Sequence, residues 1–245
     1  MTNGPSLVLT FLVTPDALIM LKSSTLLISK PSRRSILVKQ AFNTFCLLFL
    51  LTLCFPTYSS STQSILVFGD SVSAGYGMTP AESWPSLLAT DFSHLTPPLA
   101  VINASVSGET TSGGRARLIK ALEVHKPDLV ILELGGNDGL RGYPIAQIEA
   151  NLRAMIETSQ GLNIPVILVG IVLPPNYGRR YTSAFIEIFA SLAESQNLAG
   201  FLPHPLSGLE TDPSLIQADG IHPTAAAQPL IKNQIKPLIL RWLNQ

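Results

Sequence analysis

One hydroxyl group occupies a position in the sequence that suits a nucleophile. Ser71 lies in the segment Gly69-Asp70-Ser71-Val72-Ser73-Ala74-Gly75-Tyr76-Gly77, directly after the apolar run Ser64-Ile65-Leu66-Val67-Phe68. The β-branched and aromatic residues of that run predict a buried strand, and the glycines that follow predict a sharp turn. Ligands of open α/β folds bind at the carboxyl ends of the strands. The sequence therefore makes Ser71 a candidate nucleophile.

A base and a carboxylate that could serve Ser71 occur near the end of the chain, in Asp219-Gly220-Ile221-His222-Pro223. In a tight turn, the spacing of Asp219 and His222 lets the carboxylate reach the imidazole Nδ1. The resulting tautomer leaves Nε2 facing the serine. We expect these three residues to form a catalytic triad for acyl transfer, in the chain order Ser, Asp, His.

Acyl transfer also needs hydrogen-bond donors for the oxyanion of the tetrahedral intermediate. The candidates are the backbone N–H of Ser71, the backbone N–H of Gly108 and the side-chain amide of Asn137. Gly108 has no Cβ and would allow close approach of a substrate. Asn137 stands at a predicted strand end, where a neutral donor is useful.

Each of these residues taken alone also has an ordinary structural interpretation. A serine in a Gly-rich turn usually only shapes the turn, and asparagine often bonds to loop backbone groups. A His-Pro pair before a helix is usually a cap or a surface feature. The remaining histidines have no suitable acid nearby in sequence and are predicted surface or loop residues: His94, His125 and His204. It is the combination of nucleophile, base, acid and donors that favours a serine hydrolase.

Strand and helix patterns alternate from Ser64 onward. Continuous apolar runs such as Leu129-Val130-Ile131-Leu132 are typical of strands buried on both faces of a parallel sheet. The pattern predicts a three-layer, doubly wound α/β domain with right-handed crossovers. The predicted strands are Ile65–Gly69, Leu99–Asn103, Asp128–Leu134 and Pro165–Leu173. The predicted helices are Trp84–Asp91, Gly114–His125, Ile145–Gln160, Thr182–Asn197 and Ala225–Leu243.

Small and polar residues follow each predicted strand. The carboxyl ends of parallel strands meet at one edge of a sheet, so these segments are expected to collect around one site. They are Gly69–Ser71, Asn103–Thr111, Gly135–Asp138 and Pro174–Gly178.

Four of these motifs, in this order, resemble the four sequence blocks of the SGNH (GDSL) hydrolase superfamily. They are Gly69-Asp70-Ser71-Val72-Ser73, Gly108, Gly136-Asn137-Asp138 and Asp219-Gly220-Ile221-His222-Pro223. The segments Leu173–Tyr181 and Ala227-Gln228-Pro229 are similar to segments of the bacterial thioesterase I/protease I/lysophospholipase L1 branch, often called arylesterases. The resemblance extends from Ser64 to the C-terminus.

The resemblance implies a flavodoxin-like three-layer sandwich, the triad and oxyanion donors named above, and no metal or cofactor. It implies action on small esters and lipids: aryl and short-to-medium acyl esters, lysophospholipids and acyl thioesters. Within the matching motifs, Asp70, Asp138 and Tyr177 are candidate substrate-binding residues. We expect a monomer that makes at most a transient contact with a membrane surface.

Three other functions fit parts of the same pattern. A carbohydrate O-acetylesterase would use the same triad, although the Leu173–Tyr181 segment favours the lipid and thioester branch. A metal-dependent phosphoesterase could use Asp70, Asn137, Asp138 and His222 as ligands, but the sequence lacks an Asp-x-His pair and further clustered histidines. A binding protein that has lost catalysis would be expected to carry a broken triad.

The charge distribution separates a leader from the rest of the chain. Five of the 16 basic residues but only one of the 16 acidic residues precede Thr62, which leaves a net charge of about −4 on residues 62–245. An acidic body without a Lys/Arg cluster argues against nucleic acid as a partner. We therefore predict a leader over residues 1–61 and one hydrolase domain over residues 62–245.

The leader has the features of a secretory signal peptide. Arg33, Arg34 and Lys39 precede an apolar core at residues 41–55, and small residues follow Pro56. The core is shorter than the ~20 residues of a membrane span, so we expect an exported protein, periplasmic or secreted; an uncleaved membrane anchor is the alternative. Both cysteines, Cys46 and Cys54, lie in this core, so the mature chain would contain no cysteine.

Overall fold

The computed structural model describes residues 62–207 and 212–244, and all of them fall in one compact unit. The predicted leader, with its apolar core at residues 41–55 and both cysteines, lies outside the described residues. Within the described ranges, no helix is both long and apolar enough to span a membrane.

Five parallel strands form a single sheet in the order β2-β1-β3-β4-β5. This is the flavodoxin-like order of doubly wound sheets. The strands are β1 (Ser64–Gly69), β2 (Ala100–Asn103), β3 (Leu129–Glu133), β4 (Val166–Val169) and β5 (Gly200–Leu202). The predicted α/β class with a parallel sheet is confirmed.

Seven α-helices connect or flank these strands in the described part of the chain. They are α1 (Ser71–Ala74), α2 (Trp84–Ser93), α3 (Thr111–His125), α4 (Gly136–Leu140), α5 (Ile145–Gly161), α6 (Arg179–Ser195) and α7 (Gln228–Leu243). Short 3₁₀ turns occur at Pro80–Glu82, Pro175–Tyr177 and Ala225–Ala227. The five predicted helices are present, with ends shifted by a few residues.

Two apolar cores lie on opposite faces of the sheet and make the three layers. On one face, alternate residues of β1 and β3 such as Phe68 and Leu132 pack with α3, α5 and α6. On the other face, their neighbours such as Val67 and Ile131 pack with α2 and α7. Because the side chains of a strand alternate between faces, strands buried on both faces must be apolar throughout, which is the pattern of Leu129–Leu132.

The structure corrects the strand assignments at the β4 and β5 side of the sheet. The predicted strand Pro165–Leu173 ends at Val169, and the apolar residues after it leave the sheet to line a pocket. The fifth strand was not predicted, because β5 has three residues and only Phe201 and Leu202 are apolar. A strand of that length has too few residues to show a period.

Candidate active site

The turn that carries the candidate nucleophile, Asp70–Gly75, is here called the nucleophile turn; it follows β1 and contains the one-turn helix α1. The Asp70 carboxylate accepts a hydrogen bond from the Val72 backbone N–H at 3.1 Å and so caps α1 at its N-terminus. Gly75 ends the turn in the left-handed conformation with φ of +77°, and a glycine takes this conformation without steric cost. Ser71 is thereby held at the carboxyl end of β1, as predicted, and is 9% exposed.

The base loop, which we define as Asp219–Pro223, brings its imidazole to this serine. Nε2 of His222 lies 2.8 Å from Oγ of Ser71, although the residues are 151 positions apart in sequence. Nδ1 of His222 lies 2.6 Å from a carboxylate oxygen of Asp219. An ionised carboxylate only accepts hydrogen bonds, so Nδ1 carries the ring proton and Nε2 accepts from the serine hydroxyl.

Asp219 is fixed as the ionised partner by its own loop. Its other oxygen accepts hydrogen bonds from the backbone N–H groups of Ile221 at 2.9 Å and His222 at 3.0 Å. Burial alone would raise the pKa of Asp219, but these two N–H groups and the imidazole lower it to about 2. The carboxylate is therefore charged throughout the range in which an imidazole base is neutral.

Asn137 lies on α4, the short helix that follows β3, and lines the same pocket as Ser71. Its Nδ2 donates a hydrogen bond to Asp70 at 3.2 Å, which orients the amide and leaves the second Nδ2 hydrogen free to point elsewhere. Asn137 and Asp70 both line the pocket that contains Ser71 and His222. Asp70 thus caps α1 and orients the amide, which makes it a positioning group for both.

Gly108 lies on the exposed loop between β2 and α3 and does not line this pocket. Its φ is +80°, in the left-handed region, and a Cβ at this position would have open space around it. The backbone conformation therefore already accounts for a glycine here, whereas the sequence-based reason was close approach of a substrate.

Asp138 and Tyr177, two candidates for substrate binding, are engaged elsewhere. Asp138 is buried, and its two carboxylate oxygens accept from the backbone N–H of Thr111 at 2.8 Å and from its hydroxyl at 2.6 Å. The Tyr177 hydroxyl donates to the Leu140 carbonyl at 3.0 Å. Neither residue lines the pocket of Ser71. Their contacts fix the start of α3 and the end of α4.

A second carboxyl group, Glu133, lies beneath the nucleophile turn and was not singled out from the sequence. It ends β3 beside Gly69, is 2% exposed, and accepts a hydrogen bond from the Ser73 hydroxyl at 2.7 Å. Burial raises the pKa of Glu133 well above its usual range, and the nearby Asp70 raises it further. Burial likewise raises the pKa of Asp70 to about 6, against the hydrogen bond from Val72. The sequence signal that could have identified Glu133 is an acidic residue at the end of an otherwise apolar strand.

The pocket beside Ser71 is lined mainly by apolar side chains from the segments that follow β4 and β5 and from the base loop. The apolar lining residues are Val72, Leu140, Ile171, Val172, Leu173, Pro174, Pro205, Leu206 and Ile221. His204, predicted to be a surface or loop residue, also lines the pocket. The position of His204 beside the pocket of Ser71 could not be inferred from sequence, because it depends on where the unpredicted strand β5 ends.

Across residues 62–207 and 212–244, there is no group of three or more His, Cys, Asp or Glu side chains arranged to hold a metal ion.

A parallel α/β sheet that carries serine, imidazole and carboxylate in a hydrogen-bonded series has the arrangement of a serine hydrolase. The comparison with family models makes this more specific: residues 67–229 match the GDSL-like Lipase/Acylhydrolase family. The chain belongs to this family. The match confirms both the resemblance stated from the motifs and the prediction of an ester-hydrolysing enzyme.

Similar proteins agree with that assignment. The arylesterase of Vibrio mimicus is 41% identical over 194 residues, which cover 79% of this chain and 96% of that protein. The thioesterase 1/protease 1/lysophospholipase L1 of Escherichia coli K12 is 41% identical over 196 residues, 78% of this chain and 91% of that one. The crystal structure of the psychrotrophic esterase EstA from Pseudoalteromonas sp. superposes with a TM-score of 0.71 at 38% identity, covering 75% of this chain and 100% of that chain.

Proposed function

We propose that Ser71, His222 and Asp219 are the catalytic triad of an esterase that works through an acyl-enzyme. The observation that carries the proposal is the unbroken series from Ser71 Oγ to His222 Nε2 at 2.8 Å and from Nδ1 to Asp219 at 2.6 Å. In the first step Oγ attacks the ester carbonyl while Nε2 takes the hydroxyl proton, and the imidazolium then protonates the departing alkoxide. In the second step Nε2 takes a proton from water while the water oxygen attacks the acyl-enzyme carbonyl. The bond from that carbon to Oγ then breaks, and the imidazolium returns its proton to Oγ, which releases the carboxylic acid and restores the Ser71 hydroxyl.

The oxyanion of each tetrahedral intermediate is stabilised by three donors in this proposal. They are the backbone N–H groups of Ser71 and Gly108 and the Nδ2 of Asn137. The Ser71 N–H lies at the start of α1, where helix N–H groups have no intrahelical acceptor. The hydrogen bond from Asn137 Nδ2 to the Asp70 carboxylate supports the proposal for Asn137, because it fixes the orientation of the amide and leaves the second Nδ2 hydrogen available to an oxyanion.

The substrate class follows from the lining of the pocket. Apolar side chains such as Ile171, Leu173 and Leu206 suit an acyl chain or an aromatic group, and offer few hydrogen-bond partners to a sugar. We therefore propose aryl and short-to-medium acyl esters, lysophospholipids and acyl thioesters, in preference to the carbohydrate O-acetylesters that are the alternative. The names of the relatives from Vibrio mimicus and Escherichia coli support the same classes.

Hydrolysis of a p-nitrophenyl ester series from acetyl to palmitoyl tests the proposal. We expect turnover of short and medium chains by the full chain, and loss of turnover in Ser71→Ala. Ser93→Ala, at the exposed end of α2, is the matched control and retains activity. Retained turnover in Ser71→Ala would refute the serine mechanism. Cleavage of acetylated xylan but of no p-nitrophenyl ester would favour the O-acetylesterase, and cleavage of neither would favour a binding protein.

Residues 1–61 are proposed to act as a leader that exports residues 62–245 to the periplasm or the medium as a monomer, with only transient contact with membranes. The support is the basic segment before the apolar core at residues 41–55. N-terminal sequencing after expression of the full chain should find a protein that begins close to Thr62. Full-length protein retained in the membrane fraction would instead indicate an uncleaved anchor.

A further inference from the structure

The nucleophile turn and the base loop are distant in sequence, and one glutamine side chain joins them. Nε2 of Gln217 donates to the carbonyl of Tyr76, just after the nucleophile turn, at 2.8 Å. The same nitrogen donates to the carbonyl of Pro223, next to the base, at 3.0 Å. An amide nitrogen has two hydrogens, so one NH₂ group satisfies one acceptor from each side of the site.

The backbone of Gln217 is bonded into the same base loop. Its N–H donates to the carbonyl of His222 at 2.7 Å, and its carbonyl accepts from the N–H of Gly220 at 2.9 Å. These bonds hold the backbone of Gln217 in a fixed position relative to the His222 imidazole. The hydrogen bond from Nε2 then holds the Tyr76 carbonyl in a fixed position relative to the same imidazole.

Gly77 provides the space that the glutamine amide occupies. Its φ is +76°, and a Cβ built at this position would overlap Oε1 of Gln217. The chain therefore has a residue without a side chain at the point where the amide reaches across. The left-handed backbone at Gly77 by itself favours a glycine, and the absence of a Cβ also leaves the space that the Gln217 amide fills.

We propose that Gln217 is a positioning residue that sets the distance between Ser71 and His222 by tying the nucleophile turn to the base loop. The proposal rests on the triad proposed above. Besides the serine–imidazole bond, the ring of Tyr76 contacts the ring of His222, with centroids 4.4 Å apart. Asp219, Gly220 and Ile221 of the base loop are exposed, so few core contacts hold the triad carboxylate in place. Misplacement of reacting groups by ~1 Å can cost ~10²-fold in rate.

Gln217→Met tests the proposal, since methionine keeps the length of the side chain and removes its donors. We expect kcat on p-nitrophenyl butyrate to fall about 10- to 100-fold, with KM changed less than about threefold. The rate at which a fluorophosphonate labels Ser71 should fall by a similar factor, because labelling needs the same serine–imidazole geometry.

Gln160→Met is the matched control. Gln160 also donates its Nε2 to a backbone carbonyl, that of Asn197 at 2.8 Å, but at the far end of α5 from the site. Its kcat should stay within about twofold of the wild type. Equal kcat in the Gln217 and Gln160 variants would overturn the proposal. Loss of the folded state in both Gln217→Met and Gln217→Glu would also overturn it, because the contact would then hold the fold and not the triad.

Gly77→Ala provides a second route to the same connection. The added methyl group should displace the Gln217 amide and lower kcat. Because alanine is also strained by the left-handed backbone at this position, only the part of the loss that disappears in a Gln217→Ala background, where the space is empty, reports on the connection. Independent losses in the double variant would count against the connection. Ser71→Ala in the same series separates the two proposals: its activity tests the triad, whereas the Gln217 variants test only the positioning.

Discussion

The two halves of the candidate site are built in different ways. The nucleophile half is buried: Asp70 is 3% exposed and Glu133 is 2% exposed, and both carboxyl groups are held between β1, β3 and α1. The base half is a surface loop in which the Asp219 side chain is 38% exposed. A buried polar group is costly unless it is hydrogen-bonded. Movement of Asp70 or Glu133 would break their hydrogen bonds without water to replace them, so the surrounding strands and α1 hold the first half in place. The second half is held by bonds within its own loop, by Gln217, and by the contacts of His222 with Ser71 and Tyr76.

This difference predicts how each half responds to substitution. A change in the buried half leaves a polar group without a partner and without water. A change in the exposed half allows water to replace the missing atom, unless the new side chain imposes a wrong hydrogen bond. Substitutions in the two halves should therefore differ in size of effect, and the largest loss is expected at the triad carboxylate.

At Asp219, asparagine should be more damaging than alanine. In Asp219→Asn, Oδ1 can still accept from the N–H groups of Ile221 and His222, which directs Nδ2 at the imidazole and selects the wrong tautomer. Replacement of a triad carboxylate in this way lowers kcat by about 10⁴-fold. In Asp219→Ala, water can reach Nδ1 at this exposed position, so we expect a loss at least tenfold smaller. The measurement is kcat for p-nitrophenyl butyrate.

The control for this pair is Asp128→Asn. Asp128 accepts a hydrogen bond from the backbone N–H of Ser64 at 2.7 Å, at the opposite edge of the sheet, and its variant should retain wild-type kcat. A loss in Asp219→Ala as large as in Asp219→Asn would mean that water does not substitute for the carboxylate and that the base half is less open than its exposure indicates.

In the buried half, Asp70→Ala should lower kcat by about 10²- to 10³-fold, the range found when one oxyanion donor is lost. The substitution removes both the cap of α1 and the acceptor that orients Asn137. KM should change by less than about threefold, because the effect falls on the transition state. Asp128→Ala is the control. If KM rose and kcat stayed constant, Asp70 would act on the substrate, as the sequence interpretation expected.

Sequence reasoning located the groups that could react because they lie in short contiguous motifs. Ser71 follows the apolar run of β1, and the turn that joins Asp219 to His222 is local, so both geometries were predictable. The central strands were predictable for the same reason, since β3 is apolar throughout. The strand β5 was not predictable, because its three residues are too few to show a pattern.

What could not be predicted depends on contacts between distant segments. Glu133 meets Ser73 across 60 positions, and Asp138 meets Thr111 across 27. Asp138 adjoins Asn137 in a motif, but its two hydrogen bonds to Thr111 carry no local signal in the sequence. Gln217 carried no motif signal from the residues alone, because its partner Tyr76 is 141 positions away.

Glu133 allows the buried half to be tested through stability. Its pKa is raised in the folded state, so above about pH 4.5 the folded protein holds a proton that the unfolded chain releases. The unfolding free energy therefore falls as pH rises through this range, with a slope of at most about 1.4 kcal/mol per pH unit. Glu133→Gln cannot lose this proton, so its stability relative to the wild type should increase with pH.

Urea unfolding of both proteins between pH 4.5 and pH 8 measures this difference. Glu157→Gln, at an exposed position of α5, is the control and should track the wild type at every pH. A constant difference between Glu133→Gln and wild type across this range would mean that Glu133 is already ionised in the folded protein, and that Ser73 and the backbone stabilise its charge.

The smallest effect is expected at Tyr76, an exposed residue just after the nucleophile turn. Its ring lies over the imidazole of His222, with centroids 4.4 Å apart and planes tilted by 36°, and the residue is 51% exposed. The imidazole becomes a cation during both steps of the proposed reaction, and an aromatic face at an exposed site stabilises a cation by about 0.5–1 kcal/mol. Tyr76→Leu should therefore lower kcat/KM about two- to fivefold, whereas Tyr76→Phe keeps the ring and the rate.

Comparison of Tyr76→Leu with Gln217→Met separates the effect of the Tyr76 ring on the imidazole from the effect of the hydrogen bond between Gln217 and the Tyr76 carbonyl. Gln217 bonds to the backbone carbonyl of Tyr76, which the leucine variant retains, so positioning of the turn should survive while the aromatic contact is lost. The two losses should then multiply in the double variant. Equal losses in the leucine and phenylalanine variants would assign the effect to the Tyr76 hydroxyl. A double variant no worse than Gln217→Met would mean that the ring acts only when the glutamine holds it over the imidazole.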